Sequence, residues 1–124
     1  MKAPLIGIDL VEPGRLRERL QRNPALREEL FLVGELAYAD VQHEPSKHLA
    51  ARLSAKEAVI KALGIDGWDP LDVEVTGGGE TAELLLHGAV LARAEELGVE
   101  VTISMSHLDS MAAAVAMARP HKSE

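Results

Sequence analysis

The sequence predicts an α+β fold, with helices packed on an antiparallel sheet. Val99-Glu100-Val101-Thr102-Ile103-Ser104-Met105-Ser106 alternates apolar and polar residues, the period of a half-buried strand. Gly77-Gly78-Gly79 separates two strand-like runs, Leu71–Thr76 and Thr81–Leu86, and reads as a hairpin turn. Between the first strand and that hairpin lies a long helical stretch, Ser46–Leu63, closed by Gly64 as a C-cap.

Leu5–Val11 is an apolar run broken by one carboxylate, Asp9, and reads as a strand that Pro13 and Gly14 terminate. A helix from about Gly14 then puts Arg15, Arg19 and Arg22 on one face, at i, i+4 and i+7. Asn23-Pro24 ends it, and a further helical segment reaches about Phe31. Gly34–Gln42 is a short helix, followed by a loop around Pro45. After the long helix, Ile65–Pro70 is a loop. Gly88–Leu97 is helical and stops at Gly98. His107–Ser110 turns the chain. Propensity alone makes the alanine-rich Met111–Met117 a helix, but its place after a strand and a short polar turn favours the second strand of a hairpin.

The 124 residues, about half of them hydrophobic, suit one domain over residues 1–119 with a tail at 120–124. The absence of cysteine excludes disulfide and thiolate chemistry. A net charge of −7 argues against nonspecific nucleic-acid binding. No apolar run approaches the roughly 20 residues of a membrane span, and no signal peptide is expected, so a soluble, cytoplasmic protein is predicted. Charge is uneven: basic clusters at Arg15–Arg22 and Arg52–Lys61 precede an acidic stretch from Asp66 to Glu100. Locally basic sites on an acidic chain suit a polyanionic small molecule or a small acidic protein. Phe31, Tyr38 and Trp68 are the only large aromatics, so aliphatic side chains must fill the core.

The helix Arg52–Gly64 carries charge where a packing helix keeps apolar residues. Arg52 and Lys56 lie one turn apart, as do Glu57 and Lys61. Taken alone, Glu57–Lys61 is an ordinary helix-surface pair, and Arg52 and Lys56 a solvated face. Asp9 within an apolar strand needs a cation, a helix N-terminus or hydrogen-bond donors. It is either a cap for the next helix or a ligand for a hard cation, with Glu57 as a second carboxylate. His107, beside Ser104, Ser106 and Asp109, either caps a turn or is placed for proton transfer or phosphate binding. His43, His48, His87 and His121 have no such setting.

Three segments in order resemble the holo-acyl-carrier-protein synthases, the short 4′-phosphopantetheinyl transferases. They are Gly7-Ile8-Asp9 with Arg15; Arg52-Leu-Ser-Ala-Lys56-Glu57-Ala-Val-Ile-Lys61-Ala-Leu-Gly64; and Ser104-Met-Ser-His107. The resemblance covers nearly the whole chain. It implies a Mg²⁺-dependent enzyme that moves the phosphopantetheine arm of coenzyme A onto a serine of apo acyl carrier protein, releasing adenosine 3′,5′-bisphosphate and supporting fatty acid biosynthesis. It also implies the transferase fold and a homotrimer with sites at subunit interfaces. By motif, Asp9 and Glu57 are the metal ligands. Lys56 and Lys61 lie beside the pyrophosphate, and Arg52 and His107 contact coenzyme A or assist catalysis. Arg15, with Arg19 and Arg22 on the same helix, forms the face for the acidic carrier protein. Glu57, a water on the metal or His107 takes the serine proton. A binding module for the same ligands would not need the paired carboxylates.

Three positions depart from the family pattern. Leu53 replaces an aromatic before the Ala-Lys-Glu segment, Gly77–Thr81 replaces a Gly-x-Pro segment, and Met111 stands where an aromatic is usual.

Overall fold

The computed structural model describes residues 5–121, apart from the side chain of Glu80. Strand β1 (Leu5–Val11) leads into helix α1 (Pro13–Arg22), whose first position is taken by a proline already set for helical φ. Helices α2 (Leu26–Leu30), α3 (Val33–Asp40) and α4 (Pro45–Leu63) follow. Pro45, expected in a loop, is the first residue of α4. Strands β2 (Val73–Thr76) and β3 (Glu83–Leu86) then form a hairpin, and helix α5 (Gly88–Leu97) precedes strands β4 (Val99–His107) and β5 (Ala112–Pro120). Both hairpin strands are shorter than the sequence indicates, because 3-10 turns occupy Pro70–Asp72 and Gly79–Thr81. His107 ends β4 instead of opening the turn. Pro120 is the last residue of β5, and residues 122–124 of the expected tail lie outside the described residues.

The sheet is antiparallel, in the order β1-β5-β4, with β2-β3 as a separate two-stranded ribbon. The alanine-rich segment is therefore a strand, and the central one. Its inner face is Ala112, Ala114, Ala116 and Ala118, all buried. These methyl groups leave room for α4 to lie close across the sheet. Helix α4 is the axis of the molecule. Thirteen of its residues are buried, and β1, β5, β4, β2, α1 and α3 all pack on it. A helix covered on every side has little amphipathic pattern to show.

Gly7 sets the closest approach. A Cβ at this position would overlap the Ala58 carbonyl oxygen and stand 2.7 Å from the Ala62 amide nitrogen. The pleat then directs Asp9, two residues on, to the same helix. Ile6, Ile8 and Leu10 point the other way and are 60%, 58% and 60% exposed.

Replacing Gly7 with alanine forces strand and helix apart. We expect Gly7→Ala to lower stability by about 1–3 kcal/mol, the range for overpacking a tight core. Urea denaturation followed by circular dichroism measures it, and an unchanged midpoint would contradict the close approach.

Candidate active site

The sequence-predicted residues fall into three groups. In the first, Asp9 from β1 meets Glu57 and Lys61 from α4. Lys61 Nζ donates to Asp9 Oδ1 at 2.9 Å and to the Ile8 carbonyl at 3.1 Å. The Asp9 side chain is largely covered, and its second oxygen, Oδ2, is buried with no hydrogen-bond partner. Burial and the adjacent Asp9 carboxyl raise the Glu57 pKa, while Lys61 and Arg19 oppose the rise. Asp9 thus holds the Lys61 ammonium with one oxygen, Glu57 stands beside it, and the other Asp9 oxygen is left without a donor. An orphaned buried oxygen costs free energy unless a cation or donor meets it. This donor set fits a hard divalent ion, which takes one or two protein carboxylates and completes its shell with water and phosphate oxygens. Among the described residues, no cluster of three or more His, Cys, Asp or Glu occurs, so protein ligands alone would not complete that shell.

Lys56 forms the second group, and the structure places it in the core, not on a solvated face. Its ammonium is fully buried against Glu35 of α3 at 2.8 Å, and it donates to the carbonyls of Pro70 and Val73. Glu35 in turn accepts from the Leu32 and Val75 amides, at 2.9 Å each. Burial lowers the Lys56 pKa, and Glu35 opposes this. Lys56 therefore does not join Asp9, Glu57 and Lys61. Glu35 escapes notice in the sequence. Its only signal is a carboxylate three residues after Leu32, where it can accept from the first free amide of α3.

The third group lines a cavity of about 310 Å³ that Arg52 and His107 share with Tyr38 and His48. Arg52, also expected on a solvated face, is buried. Its guanidinium stacks 4.1 Å above the Tyr38 ring and donates to the Gly77 carbonyl, while Nε is buried without a partner. Burial lowers its pKa. The triple glycine makes this arrangement possible: a Cβ on Gly78 would overlap the Tyr38 hydroxyl, and Gly77 and Gly79 have φ of +68° and +58°. His48 stands one turn before Arg52 on α4, and its ring meets His107 edge-on at 5.1 Å. The sequence gives no hint of His48, because its partner lies on a distant strand.

Arg15 and Arg19 of α1 are exposed and line a groove of about 450 Å³ together with Glu57, Leu53 and Met111. Two of the three departures from the family pattern thus face Glu57. Arg22 is exposed at the end of α1 but outside this groove. Within one chain, Arg52 and His107 line one cavity and Glu57 another.

The raised Glu57 pKa has a sign consequence. Above the ordinary carboxylate range the unfolded chain loses this proton more readily than the folded one, so the group costs stability at neutral pH. Glu57→Gln should raise the melting temperature near pH 7. The gain should disappear below about pH 4.5. Melting curves of both proteins across that interval check it.

The chain is similar to known proteins along most of its length. A holo-[acyl-carrier-protein] synthase of Moorella thermoacetica is 42% identical over 123 residues, covering 95% of each chain. One from Streptomyces avermitilis is 43% identical over 117 residues, covering 91% of this chain and 94% of the relative. The structure of an ACPS–CoA complex from Chronobacterium ammoniagenes superposes with a TM-score of 0.80 at 29% identity, over 98% of this chain and all of that one. Residues 5–116 match the sequence profile of the 4′-phosphopantetheinyl transferase superfamily, and the chain belongs to that family.

Proposed function

We propose that this protein is a holo-acyl-carrier-protein synthase: it transfers the 4′-phosphopantetheine arm of coenzyme A to a serine of apo acyl carrier protein and releases adenosine 3′,5′-bisphosphate. The Asp9–Glu57–Lys61 group, with its unpartnered carboxylate oxygen, carries this reading. The serine hydroxyl attacks the β-phosphate of the pyrophosphate, and the main demands are in-line positioning and charge neutralisation. Lys61 is placed as a cation for the phosphate oxygens. Asp9 and Glu57 would hold Mg²⁺, which when bound neutralises charge on the pyrophosphate. Glu57 is the group we assign to receive the serine proton. Arg52 and His107 bind coenzyme A from their own cavity. Lys56 acts at a distance, holding Glu35 and the β2 hairpin that carries the Arg52 partner Gly77.

We further propose a homotrimer whose sites lie between subunits. Ile6, Ile8 and Leu10 of β1 lie beside Met117 and Val115 of β5 on the outer face of the sheet, all exposed. A contiguous apolar face on a soluble domain marks an interface. On this proposal the Arg52–His107 cavity of one chain and the Glu57 groove of the next form one site. Arg15, Arg19 and Arg22 then form the surface that receives the acidic carrier. In the described residues no helix is long and apolar enough to cross a membrane. A cytoplasmic role in fatty acid biosynthesis follows from this reading, with residues 1–119 as the functional domain.

Incubation with coenzyme A, Mg²⁺ and apo carrier protein should add the arm's mass to the carrier, as read by mass spectrometry. Glu57→Gln should reduce the rate by at least about a hundredfold. No mass shift with any carrier, where a known transferase works, would refute the assignment.

A charge on the outer sheet face tests the assembly separately. Ile8→Glu should convert the trimer to monomer in light scattering and cut transfer by about tenfold or more. A monomeric wild-type protein with full activity would exclude the interfacial site.

A further inference from the structure

His48 has no part in the transfer just described, yet it occupies the wall between Tyr38 and His107. Its ring is edge-on to both, at 5.7 Å and 5.1 Å. The groups facing it are Tyr38 from α3, Lys47 and Arg52 from α4, and His107 from β4. Lys47 is itself tied to Glu44 and to Asp109 of the β4–β5 turn. Among the described residues no carboxylate lines the cavity, and the buried Arg52 Nε lacks a partner. Burial first, then His107, Arg52 and Lys47, hold the His48 pKa below the usual histidine range. The empty cavity therefore keeps this imidazole neutral at neutral pH, in a site otherwise furnished with donors.

An anion reverses that balance. A phosphate monoester carries nearly two charges at pH 7 and ionises for the second time at about pH 6. Beside His48 it offers the charged imidazole an opposite charge and a hydrogen-bond acceptor, both of which favour protonation. We propose that His48 is a specificity-determining residue of this cavity: it takes up one proton from solvent as a phosphate monoester enters beside Arg52 and His107, and so favours ligands carrying that group. The proposal rests on the reading that Arg52 and His107 meet coenzyme A. Coenzyme A carries one phosphate monoester besides its pyrophosphate, and dephospho-coenzyme A carries none. The preference should be strongest between roughly pH 6 and 7 and fade above it, where protonating the imidazole becomes harder.

Calorimetric titration of adenosine 3′,5′-bisphosphate into the full chain tests this, in buffers of differing ionisation enthalpy at pH 7. Wild type should take up more protons per ligand than His48→Phe or His48→Gln. In both variants the kcat/KM preference for coenzyme A over dephospho-coenzyme A should fall about five- to tenfold, the loss of one charge-assisted hydrogen bond. Should the phenylalanine variant not fold, the glutamine variant carries the comparison. Unchanged proton uptake and unchanged preference in a folded His48 variant would overturn the proposal. So would uptake that is lost in His107→Asn but retained without His48. Wild-type protein that binds neither the bisphosphate nor coenzyme A would overturn the coenzyme A reading itself, a failure visible before any substitution is made.

Discussion

The candidate site depends on a contact that contains no charge, the laying of α4 directly on β1 at Gly7. Strand and helix approach so closely that a single methyl group at Gly7 would strike the α4 backbone at Ala58 and Ala62. Alanines on the facing strand β5 keep the same spacing across the sheet. From there the two periodicities do the rest. Two residues along the strand, Asp9 returns to the same face, and residues four apart on the helix put Glu57 and Lys61 together beside it. The Gly-x-Asp motif is thus a unit. The glycine sets the depth at which the aspartate meets the helix, and at a greater separation Lys61 would not reach it.

A second constraint fixes the rotation of α4. One residue before Glu57, a step of about 100° around the axis, Lys56 is enclosed by α3 and β2 and paired with Glu35. A buried ion pair stabilises little in net terms, because desolvation offsets attraction. It is nonetheless exacting: with each partner also bonded to backbone groups, the helix cannot turn without exposing an unpaired charge. Keeping Lys56 toward Glu35 keeps Glu57 toward Asp9. Arg52, one turn earlier on the Lys56 side, is carried to Tyr38 and the Gly77 carbonyl. The charged residues of one helix are sorted by direction into a core clamp with Glu35, a pair beside Asp9 and a wall of the Tyr38–His107 cavity.

The strands and helices were largely legible in the sequence, because alternation, proline at helix starts and glycine at helix ends act locally. Even the alanine-rich β5 was legible from its position, against its propensity. What could not be read was which charges are buried. Lys56 and Arg52 look like a solvated face because helical spacing says which residues are neighbours, not which side meets solvent. Their partners, Glu35 and the Gly77 carbonyl, lie 21 and 25 residues away. His48 escapes notice for the same reason, since its neighbour is a histidine on β4. The triple glycine read correctly as a turn between strands. Its stricter requirement, room for the Tyr38 hydroxyl, depends on a tertiary contact that no local pattern records.

The division of the site follows from the size of the domain. One sheet of three strands and one central helix leave no interior in which to enclose a ligand as long as coenzyme A. Lining one broad cleft would expose α4, whose burial holds the fold together. The chain instead carries separate cavities, one lined by Glu57 with the α1 arginines Arg15 and Arg19, another by Arg52 with two histidines. The sheet's inner face is committed to α4, so its outer apolar face is free for another copy. On the proposed reading, assembly does what a larger domain would do with a second layer. It covers the outer face and adds a wall to each cavity. Oligomerisation is then part of how the site is built, because neither half of it can grip both ends of the ligand alone.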